Sequence, residues 1–136
     1  MARYGFDDKV RREAVGAASV EGLLAYAMSR PRWAALRGAR RAVAMARDLA
    51  AADPQAYTGL LSRALRTTAG LLLRRRRPEE ALPLAEEAVV LARRAGGAPL
   101  VVSLACLAQV LEALDRYGEA AAASSQAARE AADDEE

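Results

Sequence analysis

The stretch Arg77-Pro78-Glu79-Glu80-Ala81-Leu82 decides the fold because it is written a second time further along the chain. The second copy is Arg116-Tyr117-Gly118-Glu119-Ala120-Ala121, and the offset between the copies is 39 residues (120 − 81). Self-similarity at this period is typical of stacked helical hairpins, each of which buries its apolar face against its neighbours. The same offset relates apolar positions ahead of the two copies, where Leu65, Ala69 and Leu72 recur as Leu104, Ala108 and Leu111.

The composition agrees with a single all-α domain. The chain has 136 residues, of which 53% are hydrophobic and only 4% aromatic, so it can bury one ordinary core. Alanine, leucine, arginine and glutamate dominate, and these are strong helix formers. A single cysteine, Cys106, excludes a disulfide within the chain. We therefore expect a cytoplasmic protein, and the N-terminus lacks the apolar core of a signal peptide.

Proline, glycine and capping residues divide the chain into six predicted helices and three hairpins. The first hairpin, residues 1–52, breaks at Arg30-Pro31 and is either a degenerate repeat or a capping hairpin. Residues 53–132 form two clearer repeats, and residues 133–136 form an acidic tail that we expect to be disordered. The predicted helices are Asp7 to Ser29, Pro31 to Ala52, Pro54 to Arg76, Pro78 to just before Gly96, Leu100 to Leu114 and Tyr117 to Ala132.

Helical spacing separates buried faces from exposed ones. In the third helix, one stripe is apolar and the opposite stripe is basic, with three arginines. In the fourth helix, small residues form a seam that lets two backbones approach closely. The predicted core stripe of the third helix is Leu61, Leu65, Thr68, Ala69 and Leu72, and the seam of the fourth is Ala81, Leu84, Ala85, Ala88, Leu91 and Ala92.

The repeat resembles the tetratricopeptide family, in the longer-helix variety found in bacterial regulators. Ala69 and Ala108 match the family's small position in the first helix of each pair, and Ala81 and Ala120 match its alanine in the second. The period of 39 exceeds the family's usual value of about 34, which implies a longer second helix or loop between Arg93 and Pro99. The resemblance implies an interaction module, such as a scaffold or adaptor, with the first helix of each pair lining a concave face.

Catalysis and cofactor binding find little support in the sequence. The chain has no histidine, and therefore no ordinary general base near neutral pH and no histidine-activated nucleophile. One cysteine and surface carboxylates do not make a metal site, and no glycine-rich phosphate loop is present. We therefore expect a protein that is not an enzyme and that binds neither metal nor cofactor.

The charge is divided unevenly along the chain. Residues 1–78 carry 16 Lys and Arg against 6 Asp and Glu, whereas residues 79–136 carry 4 against 12. This polarity is open to three interpretations, which are an acidic partner for the N-terminal half, weak head-to-tail pairing of two copies as a homodimer, and solvated helix faces with no binding role. The run Arg74-Arg75-Arg76-Arg77 is open to two interpretations, a helix C-terminus that complements the macrodipole or a contact with nucleic-acid phosphates.

The predicted partner-binding surface combines the basic stripe of the third helix with the neighbouring face of the fifth. A basic strip beside an apolar strip suits an acidic, partly hydrophobic peptide or protein segment. The alternative is a nucleic-acid-associated regulator that uses the arginine-rich half. The residues predicted to bind the partner are Arg63, Arg66, Thr67, Gly70, Arg74, Val102, Cys106 and Gln109.

Overall fold

A computed structural model describes the backbone of residues 2–29 and 32–135 and the side chains of residues 8–27 and 34–135. Within those residues the chain forms six α-helices, each packed antiparallel against the next, so the predicted all-α hairpin array is confirmed. None of the described helices is long and apolar enough to cross a membrane. The helices are α1 (Ala2–Ser29), α2 (Arg32–Ala52), α3 (Pro54–Arg74), α4 (Pro78–Ala92), α5 (Gly97–Ala113) and α6 (Tyr117–Glu135).

The odd-numbered and even-numbered helices form two layers. Helix α3 packs against α1 and α5 as well as against α2 and α4. The backbones of α2, α4 and α6 make no comparable approach to one another in the described part of the chain. Because α3 approaches both α1 and α5 and the described even-numbered helices do not approach one another, the array bends toward the odd-numbered helices. Their outward surfaces therefore form the concave side.

The core lies between the two layers and is built mainly from leucine and alanine. All five residues of the predicted α3 stripe are buried, which confirms that register. In the predicted α4 seam, the four alanines are buried and the two leucines are partly buried. Small side chains at this seam let α4 lie close to α3 and α5, as the alanine spacing indicates.

The two copies of the repeat fold alike at the turns that precede α4 and α6. The Arg77 amide donates to the Leu72 carbonyl at 2.9 Å, and the Arg116 amide donates to the Leu111 carbonyl at 2.9 Å. The backbone thus reproduces the sequence offset of 39. Helix α4, with 15 residues, is the shortest of the six, so the long period does not come from a longer second helix.

Several helix ends differ from the predicted ones. Helix α1 begins at Ala2 and α3 ends at Arg74, while Arg30, Pro31 and Glu136 lie outside the described residues. Helix α5 begins at Gly97 rather than Leu100. Pro99 does not prevent this earlier start, because a residue in the first turn of a helix donates no intrahelical hydrogen bond that proline could remove.

The acidic tail is helical where it is described. Helix α6 continues through Asp133, Asp134 and Glu135, which the sequence predicts to be disordered. One turn earlier, a Glu130 carboxylate oxygen accepts a hydrogen bond from the Gly97 amide at 2.8 Å. This contact ties the end of α6 to the start of α5. Once a helix is formed and anchored, each further residue that joins it gains one hydrogen bond, so extending the helix is easier than starting one.

Candidate functional site

The outward face of α3 forms an open basic groove of about 240 Å³. The structure brings together four of the predicted binding residues there, Arg66, Thr67, Gly70 and Arg74, with Leu71 as the fifth lining residue. These positions follow helical spacing, so one side of α3 presents them all. Arg63 is exposed on the same helix, one turn before Thr67. We call this surface the basic groove.

Arg66 is the most closely held residue of the basic groove. Its Nη1 atom donates to the Ser103 hydroxyl at 3.1 Å and to the Ser62 hydroxyl at 3.4 Å. Both serines are buried, and Ser62 also donates to the Ala88 carbonyl at 3.1 Å. The guanidinium is therefore positioned by α3, α4 and α5 together. Among the described residues its planar fork has no further hydrogen-bond partner, so the remaining donors are left for another group.

The charge of Arg66 is not neutralised within the described residues, where no carboxylate lies within ion-pair distance of it. Partial burial lowers the pKa of its guanidinium, an effect that the nearby Arg63 reinforces. An arginine nevertheless stays charged at neutral pH. Arg63 and Arg74 likewise make no ion pair in this part of the chain.

Several arginines outside the basic groove have a different environment. Arg47 of α2 makes a bidentate pair with Glu87 of α4, at 2.6 and 2.8 Å. Arg77 pairs with Glu80, and Arg116 pairs with Glu119. The basic groove thus keeps its positive charge uncompensated among the described residues, while these three arginines are paired with glutamates.

The α5 residues of the predicted site occupy two environments. Val102, with 46% of its surface accessible, and Gln109 are exposed, and neither is among the residues that line the basic groove. Cys106 is partly buried against the core. Burial raises the pKa of its thiol, and the nearby positive charge of Arg66 partly opposes that rise. Cys106 therefore lies next to the groove as a packing residue.

A larger cavity of about 580 Å³ opens beside the first half of α3. It lies between that half of α3 and the turn joining α4 to α5, and we call it the apolar cavity. Its lining includes Pro54, Gly59, Ser62, Leu91, Ala95 and Pro99, with Arg94 contributing a cation. None of these residues is in the predicted site.

The arginine run does not form one continuous patch. Arg74 lines the basic groove, whereas Arg77 is paired with Glu80 across the first turn of α4. Between them, Arg76 takes a left-handed backbone conformation at the turn. Of the four arginines in the run, only Arg74 is among the residues that line the groove.

Two polar residues that organise this surface, Ser62 and Ser103, are not among the residues predicted from the sequence. Ser103 interrupts an otherwise apolar stripe of α5, which was the available signal, whereas Ser62 lies on the same polar stripe as Arg66 and carries no such signal. Their separation of 41 residues (103 − 62) differs from the repeat offset, so comparing the two repeats does not pair them.

Comparison with known proteins gave no match to a family model, to a curated protein or to a solved structure. The likeness to tetratricopeptide repeats therefore depends on the chain's own repeat positions.

Proposed function

We propose that this chain is a tetratricopeptide-like interaction module that binds an acidic or amphipathic protein segment in the basic groove of α3. The observation that carries the proposal is the uncompensated charge of Arg63, Arg66 and Arg74 on one helix face. Arginine forks favour bidentate contacts with carboxylates. An acidic segment would supply the partners that the described part of the chain does not.

The module acts by holding its partner, without a chemical step. Arg66 is already oriented by Ser62 and Ser103, so binding costs it less side-chain entropy than a freely rotating arginine would lose. Gly70 leaves open space above α3, since a methyl group added there would meet no heavy atom within 4 Å. A peptide backbone can therefore approach the helix closely.

The test is a charge reversal that leaves the fold intact. Arg66 is unsuitable because it bonds to buried hydroxyls, so the test variant is Arg63→Glu with Arg74→Glu, both exposed. The matched control is Arg37→Glu with Arg41→Glu, two exposed arginines of α2 that change the net charge equally. Binding of a fluorescein-labelled peptide rich in Glu and Asp is measured by anisotropy, and melting by circular dichroism.

We expect the α3 variant to weaken peptide binding at least tenfold, about 1.4 kcal/mol, and the α2 control to change it much less. Equal loss in both variants would show attraction to overall positive charge and would overturn the groove proposal. In that case, tight binding of a single-stranded oligonucleotide with a steep salt dependence would favour the nucleic-acid alternative.

A further inference from the structure

The apolar cavity and the basic groove lie along the same helix. Among the α3 residues that line one or the other, six follow each other at intervals of three or four, which places these six on one slowly turning stripe. The stripe runs for nineteen residue steps, or about 28 Å at the rise of an α-helix. Its members are Gln55, Gly59, Ser62, Arg66, Gly70 and Arg74.

Ser62 and Arg66 connect the two openings. Ser62 lines the apolar cavity, and Arg66 lines the basic groove. The Arg66 guanidinium donates to the Ser62 hydroxyl at 3.4 Å, so the two surfaces meet at this contact. A bound segment that lies along α3 would pass from one opening to the other beside Arg66.

The two openings differ in chemistry. The cavity walls come mainly from proline, glycine, leucine and alanine, and its volume of about 580 Å³ is within the range of ligand pockets. Its one charged lining residue is Arg94, a cation, and the lining includes no carboxylate. Apolar side chains therefore suit the cavity, and acidic residues suit the groove.

We propose that the apolar cavity and the basic groove form one peptide-binding channel. The cavity takes large apolar side chains of the bound segment, and Arg66 and Arg74 take acidic residues of the same segment. This inference rests on the proposed function and adds a direction to it, with the apolar part of the ligand toward the start of α3. An extended peptide of about eight residues spans the channel.

Two glycines allow each half of the channel to be blocked separately. A Cβ atom added at Gly59, in the cavity, or at Gly70, in the groove, would meet no heavy atom within 4 Å. We therefore expect Gly59→Leu to obstruct the cavity and Gly70→Leu to obstruct the groove without disturbing the core. Gly22→Leu is the matched control, because Gly22 lies on α1 in equally open space. Replacing glycine inside a helix favours the helix, so none of the three variants should melt below the parent chain.

The experiment measures anisotropy with two labelled peptides of about eight residues, the length that spans the channel. One carries Leu-Trp-Leu at one end and Glu-Asp-Glu-Asp at the other, and the second replaces Leu-Trp-Leu by Ser-Gly-Ser. We expect the parent chain to bind the first peptide at least tenfold more tightly than the second. Gly59→Leu should remove that advantage, Gly70→Leu should weaken both peptides, and Gly22→Leu should change neither.

The outcomes separate the channel from the proposed function. If Gly59→Leu binds the apolar-acidic peptide as tightly as the parent chain, the cavity is not part of the site and the channel is overturned. The proposed function survives that result as long as the Arg63 and Arg74 reversal still weakens both peptides. If neither peptide binds the parent chain, both proposals fail.

Discussion

Arg76 and Asp115 take the same left-handed backbone conformation, with φ angles of 59° and 60°, one repeat apart in the chain. The amide of Arg76 donates to the Leu73 carbonyl and that of Asp115 to the Glu112 carbonyl, each at 3.0 Å. Together with the bonds from Arg77 and Arg116, which reach five residues back along the chain, these contacts make a Schellman turn at the end of α3 and of α5. Glycine is the usual residue at this position, yet neither repeat has one.

The left-handed turns predict a stabilising substitution. Arg76→Gly should raise the free energy of unfolding by about 0.5 to 1 kcal/mol, because glycine adopts positive φ without steric cost. Asp115→Gly should gain less, since Asp115 accepts a hydrogen bond from the Tyr117 hydroxyl at 2.8 Å. Urea unfolding followed by circular dichroism measures both. Arg74→Gly, within the last turn of α3, is the control and should destabilise the fold.

The bidentate pair between Arg47 and Glu87 predicts a measurable coupling across the convex side. From helical spacing alone, Glu87 is a solvated residue whose replacement should have almost no effect. Because its carboxylate joins α4 to α2, we now expect Glu87→Ala to cost about 0.5 kcal/mol, with a coupling energy to Arg47 of about 0.5 to 1 kcal/mol. A double-mutant cycle tests this, with Glu86→Ala as the uncoupled control. A coupling near zero would mean that solvent screens the pair.

The alanine seam predicts a graded cost of added bulk. Ala81 is completely buried and Ala120 is 7% exposed on the last hairpin. We expect Ala81→Leu to destabilise the fold by about 2 to 3 kcal/mol and Ala120→Leu by about 1 kcal/mol. The cost at Ala120 is smaller because the terminal hairpin can shift to make room for the larger side chain. Thermal melting compares the two variants with Ala122→Leu, an exposed position on α6. Equal melting temperatures for all three would contradict the repeat register.

The raised pKa of the Cys106 thiol predicts slow modification in the folded chain. Burial disfavours the thiolate, so at a given alkaline pH the folded protein should react with iodoacetamide more slowly than the urea-unfolded protein. Arg66→Gln should slow the reaction further, since Arg66 partly opposes the shift. By linkage, the Cys106 contribution to stability is complete below the thiol's unfolded-state pKa and is lost as pH rises through the folded value. Equal reaction rates in the two states would contradict this account.

The two ends of the array predict weak self-association. On the first hairpin, Val15 and Tyr26 are 63% and 45% exposed, and Arg41 and Met45 lie beside Tyr26 in a surface cavity of about 470 Å³. The C-terminal half carries the opposite charge, so head-to-tail pairing should be favoured at low salt. Sedimentation velocity at low and high salt tests this, and Arg41→Glu should weaken the association. A monomer at high concentration and low salt would exclude it.

Much of the concave surface could be predicted from helical spacing, and the apolar cavity could not. Spacing places Arg66, Thr67, Gly70 and Arg74 on one side of α3, because the helix period alone fixes which side chains share a face. The cavity joins residues that are far apart in the chain, such as Gly59 and Pro99, and depends on how α3 and α5 are oriented. No local sequence pattern specifies how these two helices are oriented.

The sequence by itself determined the six helices, the offset of 39 and the buried stripes, since these follow from propensity, capping residues and period. Only the tertiary structure decided which arginines are neutralised. Arg47 and Arg63 look alike as exposed helical arginines, yet Arg47 meets Glu87 of another helix and Arg63 meets no carboxylate among the described residues. Ion pairing between helices depends on the angle and depth at which they pack, and those are set by side-chain interlocking over the whole core.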